Sequence, residues 1–194
     1  MPETVTSACS LNHAGLISAT VSPPLLHVGT YGRGWFDRQL DTSLNHVAGK
    51  ITLQDVVNSA QTITMEFRPV DGTEPFDRTT TLDASGKYMI DNIPAKKYVV
   101  HIKGRKWLAR NIVVDATSGN VDNAHALLRA GDVNDSSASF NAVDLDDLGD
   151  LANAFNTAPG DSLWNASADL NCDGSVDITD LGLLALNFNA VGDN

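Results

Sequence analysis

Basic side chains are missing from the last third of this chain of 194 residues. Residues 131–194 contain no Lys or Arg but 12 of the 24 acidic residues, all of them Asp, whereas residues 1–130 carry all 13 Lys and Arg. Such a region repels nucleic-acid phosphates, so nucleic acid is excluded as its partner. It would also repel itself in a compact fold unless cations neutralised it. The break in charge predicts a domain boundary near residue 130.

Cysteine and long apolar runs are also scarce. The two cysteines, Cys9 and Cys172, form no C-x-x-C pair, which argues against zinc ribbons and thioredoxin-type redox chemistry. Two free thiols, or one bridge within or between chains, both fit this number. No run of 18 apolar residues occurs, so we predict no membrane span. The first 15 residues lack the basic start and apolar core of a secretion signal.

The usual signatures of catalytic sites are absent from the sequence. The five histidines show no H-E-x-x-H spacing, and no G-x-S-x-G elbow, Walker A loop or strand-linked G-x-G-x-x-G occurs. Trp35, Trp107 and Trp164 suggest a sugar-stacking surface, although core packing is the commoner role of buried tryptophan. We therefore predict that the protein is not an enzyme and keep polysaccharide binding as an alternative.

Residues 1–46 are predicted to form an extended arm. Pro23 and Pro24 separate two short extended segments between residues 18 and 31, and a Gly-rich turn then leads to Trp35 and Phe36. An extended arm can add a strand to the sheet edge of a neighbour. Self-assembly into a filament or surface layer is therefore an alternative function.

Residues 47–130 are predicted to form a small antiparallel β-sandwich. Apolar and polar residues alternate along several short segments, such as Ile63, Met65 and Phe67 in one and Tyr98, Val100 in another. Turn residues separate these segments about every dozen positions, as in sandwich folds.

The segment 81–100, T-L-D-A-S-G-K-Y-M-I-D-N-I-P-A-K-K-Y-V-V, resembles carboxypeptidase-regulatory-like (transthyretin-like) β-sandwiches. It shows a turn with Asp83 and Gly86, an aromatic strand, Ile93-Pro94 and a strand led by Tyr98. Lys96 departs from the glycine usual there. The resemblance implies a spacer or adhesion module without catalytic function.

The twelve residues from Asp169 to Asp180, D-L-N-C-D-G-S-V-D-I-T-D, predict a calcium-binding loop. Oxygen-bearing side chains stand at loop positions 1, 3, 5, 9 and 12, Gly174 is at the sharp turn, and the carbonyl of Ser175 is available at position 7. Val176, at position 8, is predicted to pair with its counterpart in a partner loop. The predicted metal ligands are Asp169, Asn171, Asp173, Ser175, Asp177 and Asp180.

A second copy of the loop lies 33 residues upstream. Residues 144–156 and 177–189 are identical at eight of 13 positions. This first loop has four extra residues and no glycine at the turn, so both weaker calcium binding and an empty loop are compatible with it. Its predicted ligands are Asp132, Asn134, Ser136, Asp144 and Asp147.

Each loop is predicted to lead into a short amphipathic helix. The apolar stripes are Leu148, Leu151, Ala152 and Phe155 in the first helix and Leu181, Leu184, Ala185 and Phe188 in the second. These stripes are expected to pack on each other, with Trp164 between them.

The duplicated loop–helix pattern of residues 131–191 resembles type I-like dockerin domains. The resemblance implies a helical module that holds two Ca²⁺ ions, the second loop more certainly than the first, and docks onto a cohesin-like partner. Recognition in the family often uses loop positions 10 and 11, here Leu145/Asp146 and Ile178/Thr179. The later helix positions, Ala152/Asn153 and Ala185/Leu186, lack the family's usual basic or hydroxyl residues.

The sequence thus predicts a multi-domain α and β protein: an arm (1–46), a β-sandwich (47–130) and a dockerin-like domain (131–194). The expected function is a non-catalytic, calcium-stabilised interaction module of an exported bacterial protein, located outside the cell or on its surface. Its expected partner is a cohesin-like domain or copies of itself.

Overall fold

The computed structural model describes residues 15–18, 25–30, 34–39, 44–134 and 141–194. The chain divides into two compact units, Met1–Leu44 and Asn45–Asn194. Across the described residues, no helix has both the length and the apolar character needed to cross a membrane. The three-domain division expected from the sequence stays a prediction.

The first unit contains one antiparallel sheet of three strands in the order β1-β2-β3. Strand β2 coincides with one of the predicted extended segments, and β3 contains Trp35 and Phe36. The strands are β1 (Gly15–Ser18), β2 (Leu25–Thr30) and β3 (Gly34–Gln39).

The second unit is built on two sheets that face each other. One has the order β10-β4-β7 and the other the order β6-β5-β8-β9. The strands are β4 (Leu44–Leu53), β5 (Thr62–Pro69), β6 (Phe76–Thr81), β7 (Lys87–Pro94), β8 (Lys97–Gly104), β9 (Trp107–Asp115) and β10 (Ala126–Leu128). The predicted β-sandwich is therefore confirmed. The prediction that the sandwich is antiparallel is wrong for one pair of strands, because β10 runs parallel to β4.

Alternating burial explains why these segments form strands. In β5, Ile63, Met65 and Phe67 are fully buried while the residues between them are not. Phe67 stacks on Phe76 with ring centroids 5.2 Å apart and meets Tyr98 edge-on at 5.5 Å. These aromatic contacts add to the apolar burial that holds the sheets together.

Trp107 lies inside this core with 1% of its surface exposed. It begins β9, directly after the short turn that joins β8 to β9. Core packing, and not sugar stacking, is therefore the role of this tryptophan. Trp164 is half-buried and packs at the edge of the same core.

Two short helices follow the sandwich, α1 (Leu145–Asn153) and α2 (Ile178–Leu186). Each begins with the same device, a capping box in which the residue before the helix and the third helical residue are both Asp. The helices end earlier than the predicted stripes require, because Asn156 and Asn189 adopt positive φ angles just beyond them.

The buried face of each helix therefore agrees only in part with the predicted apolar stripe. Leu151 and Leu184 are buried, and Leu148 and Leu181 are half-buried. Leu183, which the predicted stripe omits, is also buried. The assignment of four further residues to the packed face is wrong because they are exposed: Ala152, Phe155, Ala185 and Phe188.

The segment that contains both loops and both helices is attached to the sandwich at each of its ends. At its start, Leu108 N donates to Arg129 O at 2.8 Å. At its end, Asp193 N donates to Ala109 O at 3.0 Å, and Asn111 N donates to the Asp193 carboxylate at 2.8 Å. Both ends therefore lie against the beginning of β9.

Candidate metal-binding loops

The second loop closes around the carboxylate of its first residue. Asp169 Oδ1 accepts a bond from Asp173 N, and Oδ2 accepts one from Gly174 N, each at 3.2 Å. Gly174 has a φ of 92°, a conformation that favours glycine. The glycine therefore stands where the sequence predicts a sharp turn.

Asp180, the last residue of this loop, is completely buried. Its Oδ1 accepts bonds from the N–H groups of Leu170 (2.7 Å) and Asn171 (3.1 Å), and its Oδ2 accepts one from Asp177 N (2.8 Å). Burial raises the pKa of Asp180, and the negative charge of Asp169 raises it further. Two carboxylates therefore repel each other inside this loop.

The other predicted ligands of the second loop are engaged with one another. Asp173 accepts bonds from Asn171 Nδ2 and from the Ser175 hydroxyl, both at 2.8 Å. These hydrogen bonds lower the pKa of Asp173, with the one from Asn171 the largest cause. Asp177 caps α2 by accepting a bond from Thr179 N at 2.7 Å.

The first loop repeats this arrangement at its end. Asp147 is buried and accepts bonds from Val133 N (2.7 Å), Asn134 N (3.0 Å) and Asp144 N (2.8 Å). Burial raises the pKa of Asp147, as it does for its counterpart in the second loop. Asp144 caps α1. The predicted ligand Ser136 lies outside the described residues.

The two repeats are joined crosswise by short backbone pairings. Val176 N donates to Thr157 O at 2.9 Å, so the second loop pairs with the segment that follows α1. Val143 N donates to Ala190 O at 2.9 Å, so the first loop pairs with the segment that follows α2. The prediction that Val176 pairs with its counterpart in the other loop is wrong. Each of these valines instead pairs with the segment after the other repeat's helix.

Two lysines of the sandwich reach into the loops, and the sequence reasoning missed both. Lys103 Nζ lies 2.7 Å from Oδ2 of the buried Asp132, the first residue of the first loop. Lys106, itself buried, donates to the carbonyl of Asp169, the first residue of the second loop, and to Ala166 O at 3.1 Å. The sequence did contain one indication of these contacts. Because no basic residue follows position 130, any positive side chain that neutralises the Asp residues of the loops has to come from the sandwich or from a bound cation.

Cys172 lies beside this contact with a free, half-buried thiol. Burial raises the pKa of the thiol, while Lys106, which hydrogen-bonds to it, acts in the opposite direction. Cys9 lies outside the described residues.

The donors of the second loop suit a hard divalent cation. Its predicted ligand side chains can all offer an oxygen atom, the ligand type that calcium prefers. The carboxylates of Asp169 and Asp180 repel each other, and a bound cation would reduce this repulsion. Among the described residues, no three His, Cys, Asp or Glu side chains converge into a metal-binding group. In this arrangement the carboxylates accept backbone N–H groups, and calcium binding stays a prediction.

The positions singled out for partner recognition all lie on the surface. Leu145 is 72% and Ile178 is 70% exposed, although both begin a helix and both are large and apolar. Apolar side chains exposed at equivalent places in both repeats are typical of a binding surface. The other recognition positions are exposed as well: Asp146, Ala152, Asn153, Thr179, Ala185 and Leu186.

Comparison with known proteins gives matches among solved structures alone. No protein-family model matches the sequence. No curated protein matches it either. A chain in the crystal structure of an N-terminal interface mutant of the type II cohesin–X-dockerin complex from Acetivibrio cellulolyticus superimposes with a TM-score of 0.60 and 25% identity. The match covers 76% of this chain and 97% of that chain.

A C-terminal interface mutant of the type II complex from the same organism gives a TM-score of 0.59 and 24% identity over the same shares of both chains. These likenesses show a β-sandwich fold of the kind found in a cohesin–dockerin complex. They support a protein-interaction module with a protein partner.

Proposed function

We propose that this protein is a non-catalytic interaction module, in which a dockerin-like pair of loop–helix repeats is carried on a β-sandwich and stabilised by calcium. The observation that carries the proposal is the duplication of one local geometry. Asp144 and Asp177 both cap a helix, and Asp147 and Asp180 both accept the first N–H groups of their loop. The motif that resembles a dockerin is thus accompanied by a matching three-dimensional repeat.

The extent of the structural likeness supports the same proposal. A share of 76% corresponds to about 147 residues of this chain, close to the size of the unit Asn45–Asn194, which includes the sandwich, both loops and both helices. We infer that the matched chain corresponds to the X-dockerin side of the complex. The finer assignment of the sandwich as carboxypeptidase-regulatory-like remains a prediction from segment 81–100.

Calcium has a clear physical role in this proposal. The region 131–194 contains 12 Asp and no basic residue, and three of its carboxylates, those of Asp132, Asp147 and Asp180, are fully buried in the loops. A bound divalent ion would offset their repulsion, so binding free energy would add to folding stability. The predicted role is structural: calcium keeps the exposed helix starts in position.

The proposed partner is the β-sheet face of a cohesin-like domain. Leu145 and Ile178 would supply apolar contacts at two equivalent places, with Asp146 and Thr179 beside them. The solved complexes are of type II, whereas the repeat pattern resembles type I, so both types are needed as probes. An exported, extracellular or surface location follows from this proposal.

Two measurements on the purified chain test the proposal: thermal melting with and without calcium, and titration calorimetry with a cohesin. We expect calcium to raise the melting temperature, and a type II or type I cohesin to bind in calcium but not in chelator. The double variant Leu145→Asp/Ile178→Asp should abolish cohesin binding and leave the calcium-dependent melting unchanged. Leu127→Asp changes another exposed apolar residue, on β10 of the sandwich, and is the control that should bind as the parent does. Equal melting in calcium and chelator would contradict the proposal.

Self-assembly through the arm stays an alternative. Among the described residues the arm forms a three-stranded sheet with β1 and β3 at its edges, and an edge strand can pair with a strand of another chain. Light scattering with and without residues 1–44 distinguishes this alternative, because monomers in both cases would exclude it. Polysaccharide binding remains a prediction that a glycan array can test.

A further inference from the structure

The two loops differ in what holds the carboxylate at their first position. Asp132, which begins the first loop, is fully buried and accepts a bond from Lys103 Nζ at 2.7 Å. Asp169, which begins the second loop, uses both carboxylate oxygens to accept backbone N–H groups of its own loop. One of these carboxylates is therefore paired with a cation of the protein, and the other is bound to the loop backbone.

Three oxygen atoms of the described residues accept hydrogen bonds from Lys103. Its side chain is 16% exposed, and besides Asp132 its Nζ donates to the carbonyls of Gly104 and Trp107 at 3.0 Å each. An ammonium group has three N–H donors, and each has an acceptor here. Because two acceptors belong to the β8–β9 turn and the third to the loop, the lysine fastens the first loop to the sandwich.

We propose that the Lys103 ammonium is a built-in cation of the first loop, which holds Asp132 in place without calcium and lowers the calcium affinity of that loop. This inference rests on the proposed function, since it concerns the same loops. It assigns the two repeats different calcium requirements although their sequences are duplicated.

The number of carboxylates among the predicted ligands of each loop leads to the same difference. Calcium affinity of such loops rises with the number of charged ligands. The first loop has three carboxylates among its predicted ligands, and one of them is already paired with Lys103; the second loop has four. The first set is Asp132, Asp144 and Asp147, and the second is Asp169, Asp173, Asp177 and Asp180.

The expected behaviour is a stepwise response to calcium. The second loop fills first, and the first loop fills only at higher calcium concentration. At low calcium, therefore, the helix start at Leu145 is positioned by a lysine, whereas the helix start at Ile178 depends on the metal ion.

Calorimetric titration of the full chain with CaCl₂ tests the inference. We expect one tight and one weak site in the parent protein. Lys103→Met should tighten the weak site at least about tenfold, because it removes a positive charge that lies against a predicted ligand of a divalent ion. Lys87→Met removes the same charge from an exposed position on β7 and should change neither site. Adding Asp169→Ala to the parent and to Lys103→Met assigns the altered site to the first loop.

Unchanged or weaker binding at the weak site in Lys103→Met would overturn the inference while leaving the proposed function intact. A parent protein that takes up no calcium would overturn both. If Lys103→Met does not fold in chelator, melting temperatures measured over a calcium series replace the titration. They should rise more steeply with calcium than those of the parent, and parallel curves would contradict the inference.

Discussion

Asp147 and Asp180 make the same three hydrogen bonds at equivalent places in two successive repeats. In each case one carboxylate oxygen accepts two adjacent N–H groups from the start of the loop, and the other accepts the N–H group of the helix cap. Each of these carboxylates thus joins the beginning of its loop to the helix that follows it.

The first prediction concerns these buried carboxylates. Asp180→Ala leaves three N–H groups without their acceptor and should lower the free energy of unfolding by about 2–4 kcal/mol. Asp147→Ala should have an effect of similar size. Asp146→Ala is the control, because Asp146 is exposed in the first turn of α1 and its loss should cost less than about 1 kcal/mol. Urea denaturation in chelator measures all three, and equal costs would show that burial of the carboxylate is unimportant.

The second prediction concerns Lys106, the buried lysine of the β8–β9 turn. Lys106→Met removes the donor to the carbonyls of Ala166 and Asp169 and should lower the free energy of unfolding by about 1–3 kcal/mol. Its exposed neighbour Arg105 provides the control, since Arg105→Met should change stability by less than about 0.5 kcal/mol. The fluorescence of Trp107, whose ring lies 5.5 Å from Lys106 Nζ, should shift in the first variant alone.

The third prediction concerns two helical glycines at equivalent places. A Cβ atom added at Gly149 or Gly182 would meet no atom within 4 Å. Gly149→Ala and Gly182→Ala should therefore each raise the free energy of unfolding by about 0.5–1 kcal/mol through helix propensity. Gly192→Ala serves as the contrasting case. Its Cβ would clash with Asn141 Oδ1 and with the backbone nitrogen of Ala109, so this substitution should destabilise the protein. Thermal melting gives the ranking, and a destabilising effect at both helical positions would refute the prediction.

The fourth prediction concerns acid stability of the sandwich. Hydrogen bonds from Thr73, together with the nearby Lys96, lower the pKa of Asp71 from 3.8 to about 2. The unfolded chain therefore takes up this proton at a higher pH than the folded chain does. The stabilising contribution is present above pH 4 and is lost as the pH falls towards 2.

The variant Asp71→Asn should consequently be less stable at neutral pH and lose less stability than the parent between about pH 4 and pH 2. Glu74→Gln, which changes another exposed acid in the same connection, is the control. Melting temperatures across this range give the comparison. Curves that stay parallel for the parent and Asp71→Asn would contradict the assigned role of this turn.

The sequence was a good guide wherever a local pattern determines the structure. Period-two alternation at Ile63, Met65 and Phe67 corresponds to a strand whose alternate side chains are fully buried. The duplicated Asp residues at the helix starts likewise correspond to two capping boxes. In both cases the sequence pattern that predicts the element spans only a few residues.

Interactions between distant parts of the chain were not predictable in this way. Lys103 and Lys106 flank a turn and look like solvated surface residues, yet the fold brings them against loops that lie about 30 and 60 residues further along the chain. Phe155 and Phe188 extend the apolar period of the helices, but the backbone leaves the helix before reaching them. The end of a helix depends on where the backbone must turn next, and the periodicity of apolar residues gives no information about that turn.

The attachment of both ends of the loop–helix segment to the start of β9 brings those two ends together in space. Arg129 and Asp193 pair with neighbouring residues, Leu108 and Ala109, so the points of entry and exit lie side by side. The two ends are close in space although both loops and both helices separate them along the chain. The segment could therefore be grafted between two adjacent positions of an unrelated β-strand protein, and if the proposed function holds, the graft would make that protein respond to calcium.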